Sequence, residues 1–242
     1  MKDTLLTVIS NREIAKNTYE TRLSGDVSDA RPGGFVNIKL DGFYLRRPIS
    51  VCNVEGDVLT IIYKVVGHGT EAMATAVPGT VWQTLVGLGN GYDLTKSGDA
   101  PLLVGGGAGV PPMYLLCRRL VAEGKHPTVI LGFNTKDEVF YKQEFTNLGV
   151  NVIVATADGT EGVKGFVTDA MDGVDYTYFY TCGPEPMLRA VSKKSQTSGQ
   201  LSFEERMGCG FGACMGCSCK TLTGNKRICR EGPVLQKEEI IW

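Results

Sequence analysis

The last 34 residues of the chain hold five of its eight cysteines. Four of them follow the pattern C-x4-C-x2-C, with a further cysteine after eleven more residues: Cys209, Cys214, Cys217 and Cys229. This is the spacing of plant-type [2Fe–2S] sites, in which each of two irons takes two thiolates. The glycines between the cysteines let the backbone wrap such a cluster and point N–H groups at its sulfurs. We therefore expect these four side chains to ligate a [2Fe–2S] cluster.

Two alternatives remain for the cysteine cluster. A structural zinc site also uses four cysteines, but it usually presents two C-x2-C-type pairs, and only one such pair occurs here. Cys219 follows Cys217 by two residues and can replace it in principle, although we expect Cys219 to be a bystander. The chain has only two histidines, His68 and His126, which excludes a histidine-rich metal site.

A second group of residues has the chemistry to bind a flavin or a phosphate. Arg47 precedes a predicted strand, where a guanidinium can hold a pyrophosphate, and Ser50 can form a hydrogen bond to a flavin or a phosphate. Further along, Tyr63 can pack on an aromatic ring. Gly69 and Thr70 can bind phosphate through a backbone N–H and a hydroxyl group. Taken alone, the arginine–serine segment can also be a surface turn that enters a strand.

Two further motifs stand at predicted strand-to-helix junctions. Gly105, Gly107 and Gly109 belong to the run G-G-G-A-G-V-P-P, in which glycines let the backbone approach a pyrophosphate. The run departs from G-x-G-x-x-G because a valine holds the last glycine position. Cys182 and Gly183 follow another strand, and ligands of doubly wound sheets bind at such carboxyl ends. The alternatives are a tight turn for the glycine run and simple packing for the cysteine.

The elements that must position these motifs divide the chain into three segments. Residues 1–97 alternate short β-rich stretches with turn residues, which predicts a small closed antiparallel barrel. Residues 98–195 alternate strands and helices, which predicts a doubly wound parallel sheet with helices on both faces. Residues 196–242 carry the cysteines and are expected to form a small iron–sulfur domain. The expected fold class is thus a β-barrel plus an α/β domain with a C-terminal appendix.

The pattern also predicts individual elements. The barrel strands are expected at Thr4–Ser10, Gly34–Leu40, Ile49–Val54, Val58–Val65 and Thr80–Leu85. The later strands are expected at Pro101–Val104, Thr128–Phe133, Asn151–Ala155 and Tyr176–Thr181. Helices are expected at Glu71–Ala76, Pro112–Glu123, Glu138–Leu148, Gly165–Met171 and Glu185–Lys194.

Composition narrows the class of protein and its compartment. With 43% hydrophobic and 21% charged residues, the chain is typical of a globular protein. A net charge of -1 offers no attraction to nucleic acid or to an anionic membrane. The N-terminus does not read as a secretory signal, and glycines and prolines interrupt the long uncharged run Pro101–Cys117. We expect a cytoplasmic protein, in which crowded cysteines indicate metal rather than disulfides.

Taken in this order, the four motifs resemble those of the ferredoxin–NADP reductase superfamily. There, a flavin barrel with R-x-x-S precedes a nicotinamide domain with G-G-G-x-G-x-x-P and C-G-P. A ferredoxin-like cysteine cluster after C-G-P is similar to that of the electron-transfer subunits of dihydroorotate dehydrogenase B, and this resemblance runs nearly end to end. It implies FAD, a [2Fe–2S] cluster ligated by the four cysteines, and NAD(H) as an exchanging co-substrate. It places FAD contacts on Arg47, Pro48, Ile49, Ser50, Ile62, Tyr63, Lys64, Gly69 and Thr70.

The resemblance also implies a function, an oxidoreductase subunit of pyrimidine biosynthesis. Electrons would pass from the FMN of a partner dihydroorotate dehydrogenase catalytic subunit through the cluster and FAD to NAD+, within a heterotetramer of two subunits of each kind. No residue of this chain is expected to act as a catalytic acid or base. The alternatives are a flavin and iron–sulfur subunit of another NAD(P)H–ferredoxin or sulfide-reducing complex, and a non-enzymatic, zinc-stabilised binding module.

Nicotinamide preference can be argued from the residues after the strand Thr128–Phe133. A site for the 2′-phosphate of NADP would favour arginine there. The chain instead has Lys136 beside the two carboxylates of Asp137 and Glu138. This arrangement favours NAD over NADP.

Overall fold

The N-terminal part of the chain is a barrel of six antiparallel strands in the computed structural model, which describes residues 1–242. The strands are β1 (Lys2–Ala15), β2 (Thr18–Ser24), β3 (Phe35–Ile38), β4 (Arg47–Glu55), β5 (Val58–Lys64) and β6 (Val81–Leu88). They follow the order β1-β2-β5-β4-β3-β6, and β6 returns to pair with β1. Leu6, Val8, Leu59 and Ile61 are among the alternating side chains buried inside. The predicted closed barrel is confirmed.

Strand β2 was not among the predicted strands, and its composition explains why. Apart from one tyrosine and one leucine it is polar, so no alternation of apolar residues marks it. Its Glu20 and Thr21 are nevertheless buried, because partners on β1 satisfy them. The Glu20 carboxylate accepts a 2.9 Å hydrogen bond from Arg12 Nε, and the Thr21 hydroxyl donates to Asn11 Oδ1 at 2.7 Å.

A short helix, α1 (His68–Ala74), lies between β5 and β6 and closes one end of the barrel. Its Met73 side chain is fully buried among the barrel residues. Asn11 Nδ2 donates to the carbonyl oxygens of Met73, Ala74 and Ala76 at 3.0 to 3.1 Å, which satisfies the end of this helix. The helix expected over Glu71–Ala76 is thus present, with earlier limits.

The second part of the chain is a sheet of parallel strands with helices against it. The strands are β7 (Leu102–Gly106), β8 (Thr128–Phe133), β9 (Asn151–Thr156), β10 (Val163–Lys164), β11 (Phe179–Cys182) and β12 (Gly199–Ser202). The α-helices are α2 (Val110–Ala122), α3 (Lys142–Thr146) and α4 (Glu185–Lys194). The sheet order is β10-β9-β8-β7-β11-β12. The chain starts at the central strand β7, adds β8 to β10 on one side, and then adds β11 and β12 on the other side. The expected doubly wound sheet is confirmed.

Two predicted helices differ from the structure. The helix expected over Glu138–Leu148 shortens to α3, because Tyr141 has a φ of 63°, in the left-handed region that a helix cannot continue through. The helix expected over Gly165–Met171 is reduced to one 3₁₀ turn over Asp169–Met171, which follows the two-residue strand β10. None of the helices is long and apolar enough to span a lipid bilayer.

The C-terminal part adds three more strands. β13 (Ser218–Thr221) and β14 (Gly224–Arg227) form a hairpin, and β15 (Val234–Gln236) pairs antiparallel with β12. The second sheet therefore has seven strands and continues past residue 195, where sequence reasoning placed the limit of the α/β domain. The C-terminal segment thus contributes both the cysteine-bearing loop and an edge strand of the neighbouring sheet.

The barrel and the second sheet share one apolar core. Cys52 and Ile62 of the barrel are packed with Met113 and Leu116 of α2. Polar contacts at the edge of this core also join the two parts. The Tyr141 hydroxyl donates a hydrogen bond to the buried Glu20 carboxylate at 2.8 Å. Arg118 of α2 also forms a 2.9 Å ion pair with Glu55 on β4. The two parts are thus fixed against each other.

Asn90, just after β6, anchors the segment that follows the last cysteine. Its Nδ2 donates to the carbonyl oxygens of Glu231 and Val234 at 3.0 and 2.7 Å, and its Oδ1 accepts from Val234 N at 3.1 Å. Its own backbone N–H donates to Gly232 at 2.7 Å. A single residue that follows the last barrel strand thus determines where β15 begins.

We expect Asn90→Ala to loosen the C-terminal segment. The substitution removes three side-chain hydrogen bonds, and we expect a loss of about 2 kcal/mol in the local free energy of opening. Hydrogen exchange at residues 231–236 measures this loss directly. Asn225→Ala, at an exposed position of β14, is the matched control and should leave exchange unchanged. Equal exchange in the two variants would contradict the anchoring role.

Candidate functional site: the cysteine loop, the barrel face and the crevice between the domains

The four predicted cluster cysteines form two pairs in different surroundings. Cys209 and Cys214 are partly or fully exposed, whereas Cys217 and Cys229 are each 2% exposed. Cys209 N–H donates to Cys214 Sγ, and Cys229 N–H donates to Cys217 Sγ, both at 3.4 Å. The four thiols, in two pairs, would supply two ligands to each of two irons.

Backbone N–H groups surround the first sulfur. Cys209 Sγ accepts from Ala213 N at 3.2 Å and from Cys214 N at 3.4 Å. Burial opposes ionisation of this thiol, but the hydrogen bonds from Cys214, Phe211 and Ala213 outweigh it and lower the Cys209 pKa to about 6. The loop is therefore arranged to stabilise a negatively charged sulfur, which is the form that binds metal.

The fifth cysteine of the segment lies apart from these contacts. Cys219 belongs to β13, where it pairs with Lys226 of β14. Its side chain packs against the apolar cluster beneath the loop, and burial raises its pKa. The structure thus gives Cys219 a packing environment, and its role as a bystander stays a prediction.

The buried cysteine pair sits on the barrel. Cys217 and Cys229 pack with Phe35 of β3 and with Leu85 and Leu88 of β6. Phe35 is paired across the sheet with Ser50 of β4, so the two side chains share one face. The cysteine loop and the predicted flavin-binding serine therefore lie on the same outer face of the barrel. Sequence reasoning did not identify the residues of β3 that join them.

Arg47 and Gly69, predicted to bind the same cofactor, are adjacent in the structure. A Cβ on Gly69 would lie 1.9 Å from Arg47 Nε, so the arginine packs directly on the glycine backbone. The guanidinium also stacks over the Phe43 ring at 4.7 Å and donates to the Leu45 carbonyl. This brings together the two predicted pyrophosphate-binding segments. A larger residue at position 69 would fill the space that the arginine occupies.

Other predicted flavin contacts already have protein partners. The Thr70 hydroxyl accepts hydrogen bonds from Val66 N and Gly67 N and donates to the Gly67 carbonyl. Tyr63 is 3% exposed and stacks on Tyr19, with ring centroids 6.1 Å apart. Pro48 and Ile49 lie on β4 between Arg47 and Ser50. The threonine thus holds the turn in shape with its hydroxyl, and only its backbone remains for a ligand.

A crevice lies between the barrel and the second sheet. Its walls are Thr18, Ile62, Tyr63 and Lys64 of the barrel, and Gly107, Ala108, Phe133, Glu138 and Phe140 of the second sheet. Lys64 Nζ forms a 3.0 Å ion pair with Glu138 across it. Of these residues, sequence reasoning predicted Ile62, Tyr63, Lys64 and Gly107 as cofactor contacts, and it singled out Glu138 for the nicotinamide preference. It did not find Thr18, Ala108 or the two phenylalanines, because no local pattern distinguishes a buried residue that lines a crevice from a core residue.

The predicted nicotinamide loops meet at the carboxyl ends of two adjacent strands. Cys182 of β11 is paired with Gly105 of β7. A Cβ on Gly109 would lie 2.1 Å from the Cys182 carbonyl oxygen, and one on Gly183 would lie 2.5 Å from Met187 Cε. Gly109 is therefore required for packing, because its neighbour is backbone, whereas at Gly183 only the flexible end of Met187 would have to move. Burial raises the pKa of the Cys182 thiol to about 12, so it is a neutral packing group.

Gly107 differs from the other glycines of its loop. It has a φ of 51°, no atom lies within 4 Å of its Cβ position, and it faces the crevice. It is thus the residue of the glycine run that is placed to meet a ligand, whereas Gly105 and Gly109 make the loop possible. The residues present fit a nucleotide here, a flavin along β4, and a dinuclear cluster in the cysteine loop.

Comparison with known families agrees with this geometry. Residues 204–241 match the model of the iron–sulfur cluster binding domain of dihydroorotate dehydrogenase B. Residues 103–193 match the oxidoreductase NAD-binding domain. The chain is 45% identical to the dihydroorotate dehydrogenase B (NAD(+)) electron transfer subunit of Bacillus mycoides, over 97% of this chain and 96% of the relative. It is 46% identical to that of Bacillus cereus, with the same coverage.

Solved structures show the same architecture. A chain of an NADH-dependent reduced ferredoxin–NADP oxidoreductase superposes with a TM-score of 0.89 at 28% identity, covering 98% of this chain and 90% of that one. A cytochrome P450 reductase from Amycolatopsis superposes with a TM-score of 0.70 at 21% identity, covering 80% and 65%. The second likeness concerns the fold alone.

We expect Cys214→Ser and Cys219→Ser to separate the cluster ligands from the bystander. Cys214 belongs to the exposed pair, so its loss leaves one iron with a single cysteine and should remove most of the bound iron. Cys219→Ser should keep the iron content and visible spectrum of the parent chain. Iron analysis and absorbance spectra of the two proteins check this. A fall in iron in the Cys219 variant would show that Cys219 is a ligand, in the place predicted for Cys217.

We expect Gly109→Ala and Gly107→Ala to differ in their main effect. The added methyl group at position 109 meets the Cys182 backbone, and we expect a loss of about 3 kcal/mol in stability. At position 107 there is open space, and the cost is the left-handed backbone alone, about 1 kcal/mol. The second variant should instead weaken NADH binding. Urea unfolding and NADH titration of both proteins test this contrast.

Proposed function

The chain belongs to the family of dihydroorotate dehydrogenase B (NAD(+)) electron transfer subunits, and we propose that its three sites form one electron route between a catalytic partner and NAD+. The cysteine loop would bind a [2Fe–2S] cluster, the barrel FAD, and the crevice NAD(H). The observation that carries this proposal is the shared outer face of β3 and β4. On this face, Cys217 and Cys229 pack next to β4, the strand that carries Arg47–Ser50.

Each site holds its group with residues of a fitting chemistry. Cys209, Cys214, Cys217 and Cys229 would ligate the two irons in the pairs that the loop forms. Arg47, next to Gly69, places a fixed positive charge where a pyrophosphate would lie. Interconversion of hydride and single electrons is the chemistry that a bound flavin supplies, and single-electron transfer is what a cluster supplies.

The crevice residues support hydride exchange with a nicotinamide. Gly107 leaves room for a nucleotide, and Phe133 and Phe140 form an apolar wall that excludes water. Glu138 also accepts hydrogen bonds from Asn134 N and Nδ2, at 3.3 and 2.8 Å. Lys64 compensates the charge of Glu138, whereas the exposed carboxylate of the neighbouring Asp137 forms no ion pair and would repel a 2′-phosphate, which supports a preference for NAD over NADP.

The partner is proposed from the family. An electron transfer subunit requires a catalytic subunit, and we propose that this one contains FMN, oxidises dihydroorotate in pyrimidine biosynthesis, and assembles with this chain as a heterotetramer of two subunits of each kind. The exposed side of the cysteine loop, with Phe211 and Met215 43% and 55% exposed, leaves the first cysteine pair accessible from outside. All eight cysteines are free, which supports a reducing compartment, the cytoplasm.

An anaerobic absorbance titration tests the route. We expect NADH to bleach both the flavin and the iron–sulfur bands, with about two irons per chain. NADPH should require at least about tenfold higher concentration, because a single carboxylate–phosphate repulsion is worth about 1.4 kcal/mol or more. Cys214→Ser is the control, in which NADH should bleach only the flavin band. A colourless protein that contains zinc would overturn the proposal.

A further inference from the structure

Asn37 is a polar residue in an otherwise apolar strand. Its neighbours on β3 are Phe35, Val36 and Ile38, and all four residues are buried, with Asn37 only 1% exposed. Its Oδ1 is one of only two buried side-chain polar atoms of the chain that have no hydrogen-bond partner. Because buried polar groups are normally satisfied, such a group at this position calls for a role other than folding.

The amide of Asn37 touches the cysteine loop. Nδ2 donates to the Cys209 carbonyl oxygen at 3.2 Å. Gly210, with a φ of 79°, lies directly against the amide, since a Cβ on it would be 2.3 Å from Asn37 Nδ2. The Asn37 amide therefore holds the peptide between Cys209 and Gly210 both by a hydrogen bond and by direct contact.

This peptide determines the direction of the loop that follows. The N–H groups of Ala213 and Cys214 point at Cys209 Sγ only while Cys209 and the start of the loop keep their places. Hydrogen bonds to the ligating sulfurs set the potential of an iron–sulfur cluster. A side chain that fixes the loop can thus adjust the cluster without ligating it.

The strand that carries Asn37 also contacts the predicted flavin segment. Asn37 is paired with Pro48 of β4, and Phe35, two residues earlier on the same face, is paired with Ser50. The Asn37 side chain therefore stands between the flavin segment and the cysteine loop, on their shared face. No other polar side chain of β3 faces the loop.

We propose that Asn37 is a positioning residue that sets the cluster's reduction potential relative to the flavin, through its hydrogen bond to the Cys209 carbonyl. The inference rests on the proposed cluster and flavin sites. Without the amide, the loop relaxes and the N–H···S hydrogen bonds lengthen. The more negative, reduced cluster loses stabilisation, so its potential falls.

Two substitutions and a control test this role. Asn37→Asp keeps the shape but replaces the N–H donor by an oxygen that faces the Cys209 carbonyl, and Asn37→Leu removes all polar atoms at similar size. Thr84→Val is the control, because Thr84 is fully buried on neighbouring β6 and its hydroxyl donates only to the Trp82 carbonyl. It removes a buried hydrogen bond from the same barrel without touching the cysteine loop.

Redox titration monitored by electron paramagnetic resonance gives the main readout. We expect a lower cluster potential in both Asn37 variants, displacing the electron-sharing equilibrium between flavin and cluster about tenfold, which is 59 mV for a one-electron couple. The resonance of the reduced cluster should change shape, and the Thr84 variant should match the parent. An unchanged potential and spectrum in Asn37→Asp would overturn the proposal, whatever Asn37→Leu does.

A second measurement does not need the cluster. In iron-free protein, hydrogen exchange at Gly210–Cys214 should be at least several-fold faster in Asn37→Leu than in the parent and the Thr84 variant. Unchanged exchange would show that the amide does not hold the loop. If the parent protein itself bound no iron, the proposed function would fail, while this comparison would still decide whether Asn37 positions the loop.

Discussion

Asn90, which follows the last barrel strand, anchors the C-terminal segment to the barrel. This attachment determines where the cysteine loop lies relative to the barrel and to the second sheet. Four hydrogen bonds from this residue fix the backbone over residues 231–234, only two residues beyond Cys229. From there β15 joins the second sheet through β12, so the cysteine segment is tied to both domains at once. Electron transfer requires centres whose separation does not fluctuate. A loop held at both ends meets that requirement better than a tethered domain.

The shared core between the domains imposes a related constraint on the crevice. Because Cys52 and Ile62 pack with Met113 and Leu116, the barrel and the second sheet cannot slide past each other. Tyr141 keeps its left-handed backbone, a costly conformation for a residue with a side chain, and its hydroxyl reaches the buried Glu20 carboxylate. The residues just before it, including Phe140 and Glu138, are thereby held at the crevice wall.

The sequence predicted the features that depend on residue spacing and on turn-forming residues. Both large folds and the limits of α4 followed from apolar periodicity and from glycine and proline positions. Strand β2 did not, since its buried glutamate and threonine are satisfied by residues of β1 that no local pattern reveals. The same reason hid Asn37 and Asn90: each bonds to backbone more than 140 residues away in the sequence. The glycine run was located correctly, but only the structure separates packing glycines from Gly107.

The asymmetry between the cysteine pairs follows from the same attachment. The buried pair, Cys217 and Cys229, faces the apolar residues of β3 and β6, whereas Cys209 and Cys214 lie in a loop rich in N–H donors and open to solvent. Hydrogen bonds and solvent both stabilise negative charge, and an apolar surrounding opposes it. A cluster in this loop would therefore experience a gradient that favours added charge on its outer side. The barrel side provides rigidity, and the outer side leaves Cys209 and Cys214 open to solvent.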